Sequence, residues 1–209
     1  LEEKEMEIYF DYQADTIVEE NDPERLDLSK YQLFIDTTQN SRFRKRIKSW
    51  QPSEEYISSY LREINKDFQP AKIDLGTFPR RWISLEKLKD RFVIYDRCDG
   101  AIPRFEVRDT AFIFYTPHEG YAFSIAKLKQ LTKNKFSVKV KGYPIKGNPT
   151  FSTLSIFPTK HRYIYRLEHS GETLLSGYYV TPFEYIDQFD ILVNNCATMK
   201  RLEYDGFED

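Results

Sequence analysis

Three histidines, two cysteines and a handful of acids at strand ends and turns are the groups of this sequence that could do chemistry, and their spacing limits it. His118 stands beside Glu119 in a hairpin-like stretch, Pro117-His118-Glu119-Gly120, and reads as a solvent-exposed pair. His161 and His169 bracket one candidate strand, which sets them roughly 25 Å apart if it is straight. They share neither a metal nor a proton relay in that arrangement. Cys98 and Cys196 fit no zinc or redox spacing such as C-x-x-C, so no metal site is expected. There is no G-x-S-x-G elbow and no Cys–His pairing, and Lys141-Gly142-Tyr143 and Lys146-Gly147-Asn148 lack phosphate-loop glycine spacing. No catalytic residue and no cofactor is therefore assigned. Asp96, Asp99, Glu106 and Asp109 are acids that a barrel could bring within several Å of one another, which keeps a carboxylate-dependent hydrolase as the alternative reading.

Aromatic rings are the second kind of candidate. The chain has 16 Phe and 15 Tyr against 2 Trp and 2 Met, a bias that suits pleated sheet. Tyr95, Phe112, Phe114, Tyr163 and Tyr165 are the rings named as the lining of a ligand site in a barrel mouth. The same rings could equally fill the barrel, since eight strands enclose space for side chains or for one small ligand. Cys98 and Cys196 form either a single long-range disulfide or two buried free thiols, and spacing does not choose between them.

Elements that would carry these residues follow from periodicity and punctuation. Tyr31 to Thr37 reads as a strand. Ser41 to Trp50 holds five bases in seven positions, yet Phe43, Ile47 and Trp50 recur at i, i+4 and i+7, which makes it a helix with an apolar face and a basic solvated one. Pro52-Ser53 offers a cap, with Glu54 and Glu55 in the first turn of a second helix whose core stripe is Tyr56, Ile57, Tyr60, Leu61, Ile64 and Phe68. Phe78 to Trp82 looks like a connector.

From Arg91 to Val180 the grammar changes to short strands with turn signals about every ten residues: 91–97, 104–116, 121–129, 135–141, 151–157, 162–168 and 173–180. Apolar phase shifts near Asp109-Thr110 and Ala126 point to bulges or bends. Thr181-Pro182 opens a short helix near 182–189, and Asp190 to Val193 returns as a strand. The expected fold is therefore α+β, mainly β: an antiparallel, barrel-like meander over 76–209, with residues 1–75 as an acidic N-terminal extension carrying one strand and one or two helices packed on it. A β-sandwich is the competitor.

Charge sets the partner class. A net charge of -2 and a pI near 6.0 argue against nonspecific nucleic-acid binding. Residues 1 to 30 hold eleven acids against three bases, a local -8 that leaves +6 for the other 179. The arm from Glu2 to Asp27 thus supports a further alternative, an inhibitor or assembly subunit capturing a basic partner. No window is apolar for 18 residues, so no transmembrane helix is expected.

From Trp82 to Glu203 the order of features resembles a calycin or lipocalin-type barrel. The resemblance rests on Trp82 ahead of the first strand, on Arg91-Phe92-Val93-Ile94-Tyr95, Asp109-Thr110-Ala111-Phe112-Ile113 and Glu119-Gly120, and on Val193-Asn194-Asn195-Cys196 near the close. The layout is similar to that of extracytoplasmic bacterial barrel proteins and lipoproteins. It implies a secreted, periplasmic or surface-anchored binding protein, and carries no catalytic residues across. A non-enzymatic protein holding a small apolar or glycan ligand, or a protein partner, is the resulting expectation. A signal sequence removed ahead of Leu1, with room there for a lipid anchor, belongs to the same expectation.

Overall fold

The computed structural model describes residues 18–20, 33–51, 54–98, 100–116, 120–142, 151–170, 177–194, 204 and 206–208. Most of the acidic arm, the loops holding His118 and Gly147, and Asp99 and Cys196 lie outside the described residues. In chain order the elements are β1 (Val18–Glu20), β2 (Leu33–Asp36), α1 (Arg42–Ser49), α2 (Glu54–Ile64), β3 (Arg81–Leu88), β4 (Arg91–Asp96), β5 (Arg104–Val107) and β6 (Ala111–Tyr115). They continue with β7 (Gly120–Leu131), β8 (Phe136–Lys141), β9 (Phe151–Pro158), β10 (Tyr165–Ser170) and β11 (Tyr178–Pro182). A 3-10 helix (Phe183–Gln188) and β12 (Asp190–Asn194) close the order. Two compact units result, each discontinuous in sequence: one takes residues up to Gln51, 86–100 and 187 onward, the other 52–85 and 101–186.

The second unit is a closed antiparallel barrel of eight strands, in the order β3-β11-β10-β9-β8-β7-β6-β5, with β5 pairing back onto β3. Closure excludes the sandwich alternative and leaves no free edge among these strands. Inward positions alternate with outward ones, as the pleat requires. Every strand contributes to one buried cluster: Trp82, Phe105 and Val107, Phe112 and Phe114, Phe123 and Ile125, Phe136, Val138 and Val140, Leu154 and Ile156, Leu167, and Val180. Ile73, Leu75 and Phe78, from the segment before β3, join it, and Phe78 lies 5.2 Å from the Phe136 ring and 5.5 Å from Trp82. The barrel is thus packed with its own side chains.

Sequence expectation and structure part at two places in this unit and agree on an irregularity at a third. Residues 104–116, read as one bent strand, form a hairpin in which Val107 faces Phe112 and Arg108 N–H donates to Ala111 O at 2.8 Å. The polar Asp109-Thr110 interruption is a turn. In β7 the phase shift is a true irregularity, with register slips between Ile125 and Lys127 and between Leu128 and Gln130. Trp82, placed in a connector by its flanking Pro and Arg residues, lies inside β3. Its neighbours Ile83, Ser84 and Leu85 are buried without alternation, so no period-2 signal marks the strand.

The first unit is a mixed sheet. β1 runs parallel to β2, β2 antiparallel to β12, β12 parallel to β4, and β4 antiparallel to Glu86–Leu88. Residues 91–97, expected as the first meander strand, supply β4 of this sheet, because their hydrogen bonds go to β12 and to a two-residue hairpin rather than to β5. Helix α1 is capped by Ser41, whose Oγ accepts from Arg44 N–H at 3.1 Å and donates to Asp36. Phe43 and Ile47 are buried as the stripe predicts, but Arg44 is buried too. Its guanidinium donates to Thr38 O at 3.1 Å and Phe189 O at 2.9 Å, which leaves its charge compensated by carbonyl dipoles and by Asp187 at 3.6 Å.

A packed interior has a measurable consequence. Truncating Phe112, which is fully buried, to alanine is expected to lower stability by about 3–5 kcal/mol, whereas truncating Phe151 on the outer face costs under about 1 kcal/mol. Urea denaturation of the two variants separates these outcomes. Equal losses would contradict a filled barrel.

Candidate functional site

With its interior occupied by side chains, the barrel offers groups to a partner on its outer surface. On that face β9 presents Phe151, Thr153 and Ser155, and β10 presents Glu168 and Ser170, because successive residues alternate sides. Register sets Thr153 opposite Ser170 and Ser155 opposite Glu168. These four, with His169 and Gly177, line a solvent-open depression of about 360 Å³. Its hydroxyls are held in place: Ser170 Oγ accepts from Thr153 N–H at 3.0 Å, Thr153 Oγ1 accepts from Lys129 Nζ at 2.7 Å, and Ser155 Oγ shares a 2.8 Å hydrogen bond with Ser137 Oγ. Glu168 is exposed. Gly177 sits at φ +93°, a backbone conformation that favours glycine, and a Cβ there would come within 3.3 Å of the Arg166 guanidinium. That guanidinium lies 4.4 Å over the Tyr179 ring.

Beside the depression Phe151 is 46% exposed, the one large apolar side chain so placed among the described residues. Its ring meets Phe68 edge-on at 6.1 Å and carries Lys139 Nζ 4.8 Å from its centroid. A half-buried wall of hydroxyls and one carboxylate next to an accessible ring can hydrogen-bond a polyhydroxylated molecule and stack against its apolar face.

Although His169 borders the depression, its side chain turns to the inner side of the strands, where it is buried, hydrogen-bonded to Ser152 Oγ at 2.5 Å and 5.6 Å from the Phe123 ring. Burial lowers its pKa, so the imidazole is neutral and a weak base. Sequence reading missed the Ser152–His169 pair, because only the β9–β10 register brings residues 17 apart together.

The rings named from sequence divide between the two units. Phe112 and Phe114 are fully buried in the barrel cluster, with Phe114 stacked 4.7 Å from Phe105. Tyr165 packs edge-on against Trp82 at 5.0 Å, and burial, with Tyr185 and Glu184, raises its pKa. Tyr163 stands in the turn before β10 at φ +65°, stacked 4.2 Å from Tyr185. Tyr95 belongs to the mixed sheet on β4, where its hydroxyl accepts from Tyr204 N–H at 2.7 Å and Asn194 Nδ2 at 3.1 Å.

Three of the candidate acids each engage an arginine. Asp96 pairs with Arg46, Glu106 with Arg108 at 2.7 Å, Asp109 with Arg80 at 2.9 Å, and Asp99 lies outside the described residues. Arg108 also bridges to Glu54 at 2.7 Å, and these two carboxylates outweigh the effect of its burial and raise its pKa. Glu86 is pushed up by burial, with Arg97 3.4 Å away acting against the shift. No cluster of metal-ligating side chains occurs among the described residues, and no helix there is long and apolar enough to cross a membrane. Cys98 is disulfide-bonded, while Cys196 lies outside the described residues.

No protein-family model, curated protein or solved structure matches the chain. Function must be read from the geometry.

Since His169 has a lower pKa folded than unfolded, the unfolded chain binds the extra proton first as pH falls. Its contribution to stability is complete above the ordinary histidine value of 6.5 and is lost as pH drops from there through the folded pKa. Replacing His169→Gln, which can still bond Ser152, should flatten the stability difference between pH 7 and pH 5 in chemical denaturation. An unchanged slope would show that His169 is not buried as described.

Proposed function

We propose that this protein is an extracytoplasmic, non-enzymatic binding protein of calycin-like barrel architecture, and that it holds a glycan on the outer face of β9 and β10. The observation that carries the reading is the depression walled by Thr153, Ser155, Glu168 and Ser170 beside the exposed Phe151 ring. Sugar hydroxyls come in vicinal pairs, which one carboxylate can accept together, and the carbon face of a pyranose stacks on an aromatic ring. A small apolar ligand would need the barrel interior, which the chain's own Phe and Val side chains occupy.

One feature favours binding over catalysis. The acids Asp96, Glu106 and Asp109 each engage an arginine, whereas hydrolysis by paired carboxyls needs two of them flanking one bond. Export is supported by the oxidised state of Cys98, since disulfides persist outside the reducing cytosol. In a chain with two cysteines the partner in this reading is Cys196.

Two measurements test the proposal. Against an array of neutral and charged oligosaccharides the protein should retain at least one class, and Glu168→Gln should weaken that binding about tenfold, or about 1.4 kcal/mol. Retention of no saccharide would falsify the reading. Protein taken from its own host should be two hydrogen masses lighter before reduction than after, with Cys98 and Cys196 in one cross-linked peptide; two free thiols would remove the support for export.

A further inference from the structure

The lysines beside the depression carry one step more. From Gly120 to Leu167 the sequence contains ten Lys or Arg and not one Asp or Glu, a run of 48 residues in a chain whose net charge is only -2. Much of that charge is gathered on one face of the barrel. In the β7–β8 register Lys127 stands directly opposite Lys139, and both are exposed. Lys139 in turn faces Thr153, and Thr153 faces Ser170, so two ammonium groups and two hydroxyls form a continuous row across four strands. The register slip at Leu128–Gln130 brings in a third ammonium, because Lys129 reaches Thr153 Oγ1. No carboxylate pairs with Lys127, Lys129 or Lys139 among the described residues.

Like charges directly opposite on adjacent strands destabilise a sheet, and a cross-strand carboxylate would relieve the pair. Keeping Lys127 against Lys139, with Lys129 crowded beside them, costs stability and creates a focused positive potential at the rim of the depression. A bound anion would offset that repulsion. The neighbouring groups say which anion. Phosphates along a nucleic-acid strand would meet the exposed Glu168 carboxylate within the same site, an unfavourable contact. A saccharide that alternates hydroxyls with carboxylates satisfies both halves: its hydroxyls face Glu168, Ser170 and Ser155, and its carboxylates face the lysines.

Resting on the glycan reading above, we infer that the ligand is an acidic saccharide of the uronate type, its carboxylates held by Lys127, Lys129 and Lys139 and its hydroxyls by the β9–β10 wall. The test uses the full-length protein with polygalacturonate, the same polymer fully methyl-esterified, and single-stranded DNA as probes. Polygalacturonate should bind at least tenfold more tightly than its neutral ester, with affinity falling as salt rises. Lys127→Gln and Lys139→Gln should each weaken polygalacturonate binding at least fivefold, and Lys127→Gln, which gives up no ring contact, should also raise the melting temperature, since relief of repulsion stabilises the unliganded sheet. A variant that lost binding through misfolding would melt lower instead, which separates the two causes. Equal binding of the ester and the acid would overturn the anionic assignment and leave the glycan reading standing. DNA bound as tightly as polygalacturonate would overturn the saccharide assignment, and binding of neither polymer would overturn the uronate assignment, with the oligosaccharide array deciding the glycan reading separately.

Discussion

Closure of the barrel depends on one strand. Trp82 of β3 pairs with Phe105 on one side and with Pro182 on the other, and this double pairing joins β5 to β11. Without it both strands would be open edges, with unpaired N–H and C=O groups available to other chains. The Trp82 indole secures the junction from inside: its Nε1 donates to Pro79 O at 2.9 Å, and its ring packs between Phe78 and Tyr165. A hydrogen-bonded, fully buried indole at the seam ties the polar closure of the sheet to the apolar filling of its interior.

That filling has consequences outward. Once Phe105, Phe112, Phe114 and Phe136 occupy the interior, each strand's alternate residues are what the barrel can offer a partner. Over β7 to β10 these are lysines, hydroxyl residues, Glu168 and one exposed Phe, a surface with donors, acceptors and a stacking platform but little apolar area. The bulges in β7 change which residues face out, and so place Lys129 beside Thr153 where strict alternation would not. A backbone irregularity that sequence shows only as a broken phase thereby sets the composition of the candidate site.

The mixed sheet is governed by a buried polar node. Asp36 ends β2, accepts from Thr38 N–H at 2.8 Å and from Ser41, and Ser41 in turn caps α1. Arg44 then crosses to the carbonyl of Phe189. The helix itself was legible, because Phe43 and Ile47 recur at helical spacing. The burial of Arg44 was not, because a basic residue beside four others on a short helix carries no local mark of its distant carbonyl partners.

Composition and local pattern determined the mainly β class, the two helices, most meander strands and the returning strand at Asp190. Those features depend on contacts within a few residues, or on the period-2 burial that each strand records in its own sequence. Pairing between distant segments decided the rest: that β3 exists and closes the barrel, that Tyr95 lies in the mixed sheet while Phe112 and Phe114 fill the barrel, and that Lys127 faces Lys139 beside Thr153 and Ser170. Register is a relation between two strands, and a one-residue slip reverses which side chains face out, so no single stretch of chain encodes it alone. Hence the sequence by itself named the kind of residue a binding site would use, and only the tertiary structure brought particular ones together.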